Sequence, residues 1–359
     1  MTKRKLFLIL TLILAALLLG ACSGSRFQTT SWPGVTYDPE TEQIYVAYNQ
    51  QVYALDTAGE EQWRFPAEAN ARATYYAAPV VVGDGSILVG GYDNILYKID
   101  EDNGIGEPIF SDADNRFISS PLVADERIYV ANANHELYAL SLSGEESWEF
   151  EADQSIWASP VVNGAAIYVA TLDGTLYALE KSDHTEIWDQ PINFGGAIVN
   201  APIIDADGTL YVGSFGNTVS AVSPAGNVLW QFPTEAWVWA TPLLVDGTLY
   251  VGDQSGTMYA IDTATGSEIW SADLKSTILS TPVMFEDALY IGTENGEVFT
   301  IDPADGASKK IQNVDGKLFS NPVVANDLLL FGVLSEESDV IVVALETSGF
   351  EQWSFAPEK

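Results

Sequence analysis

Residues Ala240–Ala272 read ATPLLVDGTLYVGDQSGTMYAIDTATGSEIWSA, and the architecture of the whole chain can be predicted from this segment. It contains three short apolar runs, PLLV, LYV and MYAI, followed by a single tryptophan, Trp270. The runs are separated by Asp246-Gly247, Ser255-Gly256 and Thr265-Gly266, which favour tight turns because glycine accepts positive φ and polar neighbours bond the turn amides. Four short strands joined by such turns predict a small antiparallel sheet, which needs neighbours to bury both of its faces.

The same pattern returns along nearly the whole chain. The proline that opens each copy recurs every 39 to 42 residues. These prolines are Pro79, Pro121, Pro160, Pro202, Pro242, Pro282 and Pro322. A first copy without this proline covers Val35–Phe65. Eight copies of about 40 residues with four strands each predict an all-β fold, an eight-bladed β-propeller of four-stranded antiparallel blades.

A tryptophan closes six of the copies and is replaced by Pro108 and Lys310 in the other two. The six are Trp63, Trp148, Trp188, Trp230, Trp270 and Trp353. A large flat ring at a fixed place in the outermost strand is suited to packing one blade against the next, with its indole N–H bonded to a backbone carbonyl. We therefore predict that these six residues dock the blades structurally.

The first 21 residues have the pattern of an export signal. A basic KRK at positions 3–5 precedes the apolar run Leu6–Leu19, which is shorter than the roughly 20 residues of a membrane span. The run ends in Leu19-Gly20-Ala21-Cys22, which resembles a bacterial lipobox. We expect cleavage before Cys22 and lipid attachment to it. The alternative is an ordinary secretory signal with an incidental cysteine.

Three segments follow from this interpretation: a lipoprotein signal peptide at 1–21, a lipidated tether at 22–31 and the propeller at 32–359. Ser23, rather than an aspartate, follows the cysteine, which resembles lipoproteins sent to the outer membrane. We therefore expect a membrane-anchored protein on the periplasmic side of the outer membrane. In a cell with one membrane it would lie on the outer face of the cytoplasmic membrane.

The chain is strongly acidic, with 50 acidic and 15 basic residues and a formal net charge of −35. Such a surface repels nucleic acid and anionic lipid headgroups, and it favours solubility and cationic partners. We expect no nucleic-acid partner. The acidity has two interpretations: it attracts a cationic partner, or it serves solubility or salt tolerance.

No catalytic or metal site is predicted. The two histidines, His135 and His184, fall in different turns of their blades, which places them on opposite rims. Cys22 is the only cysteine, so an internal disulfide is impossible. We expect neither a metal nor a cofactor.

A large apolar pair stands four and three residues before each of the seven prolines. The pairs are Tyr75-Tyr76, Phe117-Ile118, Ile156-Trp157, Ile198-Val199, Val238-Trp239, Ile278-Leu279 and Leu318-Phe319. The second member alternates along these copies between an aromatic and an aliphatic side chain. One interpretation is alternating large and small packing between converging blades. The other is that the aromatic members, Tyr76, Trp157, Trp239 and Phe319, surround one end of the channel and bind a partner.

The segment AIDTATGSEIW at Ala260–Trp270 resembles the tryptophan-docking repeat of the PQQ-like, or quinoprotein-like, propellers. Within that superfamily, a lipobox followed directly by eight blades resembles the BamB family, lipoprotein scaffolds of the outer-membrane β-barrel assembly machine. The resemblance implies a non-catalytic interaction scaffold in the cell envelope. It also implies protein partners, with a monomeric propeller inside a larger complex.

In the BamB family the barrel-forming partner docks on inter-blade loops, including a leucine-rich loop with an arginine. The corresponding connection here, residues 190–201, reads QPINFGGAIVNA and lacks the arginine. It keeps the apolar residues Ile192, Phe194 and Ile198, which we treat as candidate partner-binding residues.

Two alternatives carry the same fold. One is an extracytoplasmic ligand-binding or sensing propeller. The other is a PQQ-dependent oxidoreductase, whose relatives are larger and hold calcium through acids beside the quinone. The alcohol-oxidising relatives also place an adjacent cysteine pair near the cofactor, and this chain has only Cys22. The residues just before the prolines are uncharged, so we expect a protein that is not an enzyme.

Overall fold

The computed structural model describes residues 31–70 and 72–358, so the predicted signal peptide, most of the tether and Cys22 lie outside the described residues. The described residues form eight four-stranded antiparallel sheets. They contain no helix that is long and apolar enough to cross a membrane. In every sheet the strand order follows the chain order. The predicted eight-bladed β-propeller is confirmed.

The first four blades contain strands β1 to β16. Blade 1 consists of β1 (Gly34–Asp38), β2 (Gln43–Tyr48), β3 (Gln51–Leu55) and β4 (Glu61–Phe65). Blade 2 consists of β5 (Val80–Val81), β6 (Ser86–Gly90), β7 (Leu96–Asp100) and β8 (Gly106–Phe110). Blade 3 consists of β9 (Leu122–Ala124), β10 (Arg127–Ala131), β11 (Glu136–Ser141) and β12 (Glu146–Glu151). Blade 4 consists of β13 (Val161–Asn163), β14 (Ala166–Ala170), β15 (Thr175–Glu180) and β16 (Ile192–Asn193).

The last four blades contain strands β17 to β32. Blade 5 consists of β17 (Ile203–Ile204), β18 (Leu210–Ser214), β19 (Thr218–Val222) and β20 (Val228–Pro233). Blade 6 consists of β21 (Leu243–Val245), β22 (Thr248–Gly252), β23 (Thr257–Asp262) and β24 (Glu268–Asp273). Blade 7 consists of β25 (Val283–Phe285), β26 (Ala288–Gly292), β27 (Glu297–Ile301) and β28 (Ser308–Asn313). Blade 8 consists of β29 (Val323–Ala325), β30 (Leu328–Gly332), β31 (Val342–Leu345) and β32 (Glu351–Phe355).

The two central strands of a blade are buried on both faces, because a neighbouring blade covers each face. In blade 6 almost every residue of β22 and β23 is buried, which explains why these strands read as continuous apolar runs rather than as alternating patterns. The outer strand β24 exposes most of its side chains and buries Trp270.

The core is divided into clusters that each join two neighbouring blades. Between blades 6 and 7, for example, Met258 and Trp270 pack with Leu289 and Phe299. Blades 8 and 1 share a cluster of the same kind. The ring therefore closes by side-chain packing between its ends, without an exchanged strand.

The six tryptophans lie at the contacts between blades. Each donates its indole N–H to a backbone carbonyl of the next blade, at 2.7 to 3.2 Å. The ring of Trp270 lies on Gly306 of blade 7, where an added Cβ would approach the ring to 2.6 Å and φ is +74°. In blade 4 the residue that corresponds to Gly306 is His184. Its ring centroid lies 5.5 Å from that of Trp148.

Blade 4 departs from the regular pattern in its outer strand. Ile187 N–H still bonds to the Ala178 carbonyl at 2.8 Å, but the ladder resumes only where Ile192 pairs with Leu176. The residues between, including Trp188 and Pro191, leave the sheet. Trp188 nevertheless keeps its 2.9 Å hydrogen bond to the next blade.

Candidate functional site

The two members of each apolar pair have different surroundings. The first members are buried between blades, with at most 1% of their surface exposed. They are Tyr75, Phe117, Ile156, Ile198, Val238, Ile278 and Leu318. The second members are half-buried and line one cavity of about 470 Å³. Blade packing thus accounts for the first member of each pair, and the second member faces an accessible space.

The cavity is surrounded by one residue from each of the eight blades, a ring that we call the collar. The collar consists of Trp32, Tyr76, Ile118, Trp157, Val199, Trp239, Leu279 and Phe319. The other residues that line the cavity are also uncharged, mostly small side chains and Tyr92. The site is therefore an apolar, largely aromatic surface inside a chain of net charge −35.

Trp32 is the collar residue of blade 1 and was not among the predicted residues of this site. Thr36 pairs with Tyr45 just as Val80 pairs with Leu88, so Trp32 is the counterpart of Tyr76. Its ring contacts Tyr76 and Phe319 edge-on, with centroids 5.6 and 6.0 Å apart.

Trp32 also changes the predicted alternation around the ring. Because blade 1 contributes an aromatic residue, blades 8, 1 and 2 place three aromatic side chains in succession. Next to Trp32, Ser31 is buried and its backbone N–H bonds to Asn49 Oδ1 at 2.9 Å. This bond fixes the start of the chain segment that enters the collar.

A second aromatic layer comes from the turns between strands two and three. Tyr92, in the β6–β7 turn, stacks on Tyr76 with centroids 4.4 Å apart. The guanidinium of Arg116 lies 4.7 Å from the Tyr92 ring centroid, a cation–π distance. Burial, followed by the nearby Tyr76, raises the pKa of Tyr92 to about 12, so this phenol is neutral at physiological pH.

Phe215, in the β18–β19 turn of blade 5, extends the aromatic surface as Tyr92 does on blade 2. Its ring stacks on Trp237 at 4.8 Å and lies 5.4 Å from Trp239. Trp237 is 48% exposed, so the aromatic surface continues from the collar onto the rim. The Phe215 N–H bonds to the Ala197 carbonyl at 2.9 Å, which joins this surface to the 190–201 connection.

Within that connection the three candidate residues lie in different environments. Ile192 belongs to β16 and Phe194 follows it, and both are half-buried. Ile198 is 1% exposed and packs in the core between blades 4 and 5. Ile198 is therefore unavailable for a partner in this conformation, because it is the first, packing member of its pair. Ile192 and Phe194 retain accessible surface.

The small residues next to the prolines hold the collar in place. Ser120 Oγ donates to the Ala78 carbonyl of the preceding blade at 2.8 Å, and Thr281 Oγ1 donates to the Thr241 carbonyl at 2.7 Å. Ser159 and Thr241 make the same bond at 2.9 Å. These hydroxyls tie neighbouring connections together, each two positions after the collar residue of its blade.

A separate apolar feature lies on the outer edges of three successive blades. The residue before the closing tryptophan is an exposed aliphatic in blades 4, 5 and 6, namely Ile187, Leu229 and Ile269. The other blades carry polar residues there: Gln62, Glu107, Ser147, Lys309 and Gln352. Exposed apolar residues at the same position of three successive blades favour an interaction surface on this side of the propeller.

The cavity lining consists of aromatic rings, aliphatic side chains and small uncharged residues that include four serines. This lining contains no carboxylate, histidine, cysteine or basic side chain. Within the described part of the chain, no three His, Cys, Asp or Glu side chains come together as a metal site. His135 lies 3.7 Å from Glu151, while His184 packs on Trp148 at the other end of the strands.

The fold and the site together define an eight-bladed β-propeller with an aromatic cavity bounded by all eight blades. The sequence profile of the family described as outer membrane protein assembly factor BamB matches residues 48–215 and 215–354. The chain belongs to this family.

Solved structures support the fold. BamB from Moraxella catarrhalis has 15% sequence identity and a TM-score of 0.66, and the match covers 89% of this chain and 98% of that one. The computationally designed protein Ika8 has 13% identity and a TM-score of 0.72, with the same coverage of both chains. A search of curated proteins gave no match.

Proposed function

We propose that this protein is a non-catalytic interaction scaffold that takes part, like other members of its family, in assembling β-barrel proteins of the outer membrane. The observation that carries the proposal is the uncharged aromatic collar, which continues through Phe215 onto the exposed ring of Trp237. Clustered aromatic side chains are the residues from which protein interfaces draw most of their binding energy. Family membership supplies the biological setting.

The anchoring part of the proposal rests on the N-terminal sequence. A signal peptide at 1–21 and a lipid on Cys22 would hold the propeller at a membrane through a tether of about ten residues. In a cell with two membranes we place the protein on the periplasmic face of the outer membrane.

The partners are proteins of the cell envelope, and the propeller is a single copy within a larger complex. Of the seven large apolar residues that are exposed in the described part of the chain, five lie on blades 4 to 6: Ile187, Val228, Leu229, Trp237 and Ile269. The other two are Ile105 of blade 2 and Phe350 of blade 8. Phe194 lies on the same side of the ring, in the connection between blades 4 and 5. A surface distributed in this way suits a partner that covers one arc of the propeller.

The test is site-specific crosslinking in the protein's own cell envelope, followed by purification in mild detergent and mass spectrometry. A photo-crosslinking residue replaces Trp237 beside the collar or, as the control, Glu145 at the opposite end of a blade. We expect an adduct with a barrel-assembly component from position 237 and none from position 145. Adducts at neither position, or equal labelling at both, would reject the proposed partner surface.

A second candidate function is the binding of a small molecule in the extracytoplasmic space. The cavity volume of about 470 Å³ favours it, because small-molecule sites commonly enclose about 300–1,000 Å³ and are mainly apolar. A thermal-shift screen of the soluble propeller with uncharged aromatic compounds tests this function. A ligand that raises the melting temperature of the wild type, but not of a Trp157→Ala variant, would support it.

A further inference from the structure

The connections that carry the collar also carry a ring of exposed acidic residues. Each collar residue of blades 2 to 8 is preceded, four positions earlier, by a residue on the same rim. In four of the seven connections this residue is an exposed acid, namely Asp114, Asp153, Glu235 or Asp315. Glu68 and Asp112 are two further exposed acids in these connections. The collar is thus an apolar centre inside an acidic rim.

Most of this acidity is not neutralised by the protein itself. Asp114, Glu235 and Asp315 form no ion pair with any other described residue. Of the cations on this rim, Lys275 pairs with Asp273 and Lys317 pairs with Glu294.

Two further cations on the rim, Arg72 and Arg116, form no ion pair with described residues, and Arg116 lies over Tyr92. They are fewer than the unpaired acids. The excess charge around the collar is therefore negative, in agreement with the net charge of −35.

The cavity at the centre of the site favours an uncharged occupant. Because no charged residue lines the cavity, an ionised group inserted there would lose its hydration without gaining a partner. An apolar or aromatic side chain meets no such cost, and it can pack against Trp157, Trp239 and Phe319. The charges of an occupant are therefore accommodated only at the rim.

We propose that the collar binds a basic segment of a partner protein, in which a large apolar or aromatic side chain enters the cavity and flanking lysines or arginines face the acidic rim. An apolar centre with a polar, charge-complementary rim is the usual organisation of a specific protein interface. This inference rests on the proposed scaffold function and specifies the chemistry of the segment that is bound.

The experiment is isothermal titration calorimetry of the protein purified from its own cell envelope, in a non-ionic detergent, with four synthetic peptides. The basic peptide GKKFKKG is compared with the neutral GQQFQQG, the acidic GEEFEEG and the anchorless GKKAKKG. We expect GKKFKKG to bind most tightly and GKKAKKG to bind about tenfold more weakly. The advantage of GKKFKKG over GQQFQQG should shrink between about 50 mM and about 300 mM NaCl, because salt screens exposed charges.

A matched pair of variants separates the rim from the overall charge of the protein. The rim variant combines Asp114→Asn, Glu235→Gln and Asp315→Asn. The control combines Asp102→Asn, Glu145→Gln and Asp207→Asn, three exposed acids in turns at the opposite ends of the strands. Both remove three charges, but only the rim variant should lose affinity for GKKFKKG, by about threefold or more.

The possible outcomes distinguish the basic-segment inference from the scaffold function. Equal binding of the basic, neutral and acidic peptides, or equal losses in the two triple variants, would overturn the basic-segment inference. If the basic-segment inference fails in this way, but the double variant Trp157→Ala with Trp239→Ala still loses peptide binding, the scaffold function remains supported. If no peptide binds the folded wild type, the inference is rejected, and the crosslinking at position 237 independently decides the scaffold function.

Discussion

The indole N–H of Trp353, in the last blade, donates a 3.0 Å hydrogen bond to the carbonyl of Thr57 in the first blade. The same ring lies on Gly59, where an added Cβ would approach it to 2.6 Å. Around this contact Tyr53 packs on Phe355, with ring centroids 5.6 Å apart. No strand is exchanged between the chain ends. The ring is therefore closed by the same kind of tryptophan contact that joins its other neighbouring blades.

Gly59→Ala is expected to destabilise the propeller more than Gly83→Ala. Both glycines have positive φ, +82° and +86°, so an alanine suffers similar backbone strain at either position. A Cβ at Gly83 has no neighbour within 4 Å, whereas a Cβ at Gly59 would overlap the Trp353 ring. The difference between their free energies of unfolding, measured in urea, therefore reports the closing contact alone. Equal losses would mean that the ring tolerates displacement of Trp353.

Trp270→Ala is expected to reduce the free energy of unfolding by roughly 3–5 kcal/mol, as loss of a buried tryptophan commonly does. Trp270 is 7% exposed and bonds to the Pro303 carbonyl at 2.8 Å, so the variant loses both packing and a hydrogen bond between blades. Trp237→Ala is the control, because that ring is 48% exposed. A thermal melt of Trp270→Ala that matches the wild type would exclude a docking role for this residue.

The fold could be predicted from the sequence because the repeat determines it. Each blade is one local meander with its own turn glycines, so a period of about 40 residues identifies the strands, and their order follows from the chain. The interruption of the outer strand in blade 4 could not be predicted in the same way. Trp188 keeps its place in the sequence pattern, and only the hydrogen-bond register shows that Pro191 and its neighbours leave the sheet.

The site was predicted only in part, for physical reasons. Trp32 was missed because blade 1 lacks the proline that marks the other copies, although its Trp-Pro step before the first strand was a usable signal. Phe215 and Tyr92 were missed because they come from different turns that meet the collar only in three dimensions. Ile198 looked available because neighbouring apolar residues in a connection do not reveal which one faces the core.

Trp157→Ala combined with Trp239→Ala is expected to abolish most partner capture while leaving the melting temperature nearly unchanged. Both side chains are half-buried at the cavity, and their buried neighbours Ile156 and Val238 continue to pack the blades. The measurement is a pull-down of the double variant, beside a thermal melt of the same preparation. A collapse of the melting temperature would instead assign both tryptophans to the core.

Glu101→Gln is expected to stabilise the protein at neutral pH and to lose that advantage in acid. Glu101 is 4% exposed, and burial, together with the nearby Asp38 carboxylate, raises its pKa. Because the pKa is higher in the folded state than in the unfolded state, the favourable contribution of Glu101 is complete below the ordinary glutamate pKa of about 4.3. It is lost as the pH rises through the folded pKa.

A glutamine avoids this ionisation, so the gain of the variant should be largest near pH 7 and vanish near about pH 4. The backbone carbonyl of residue 101, which accepts the Trp63 indole N–H at 2.7 Å, is retained in the variant. Glu107→Gln, at an exposed position in the same blade, is the control and should leave stability unchanged at both pH values. Urea unfolding at the two pH values measures the effect. A gain of the same size at both would mean that it comes from packing rather than from the buried charge.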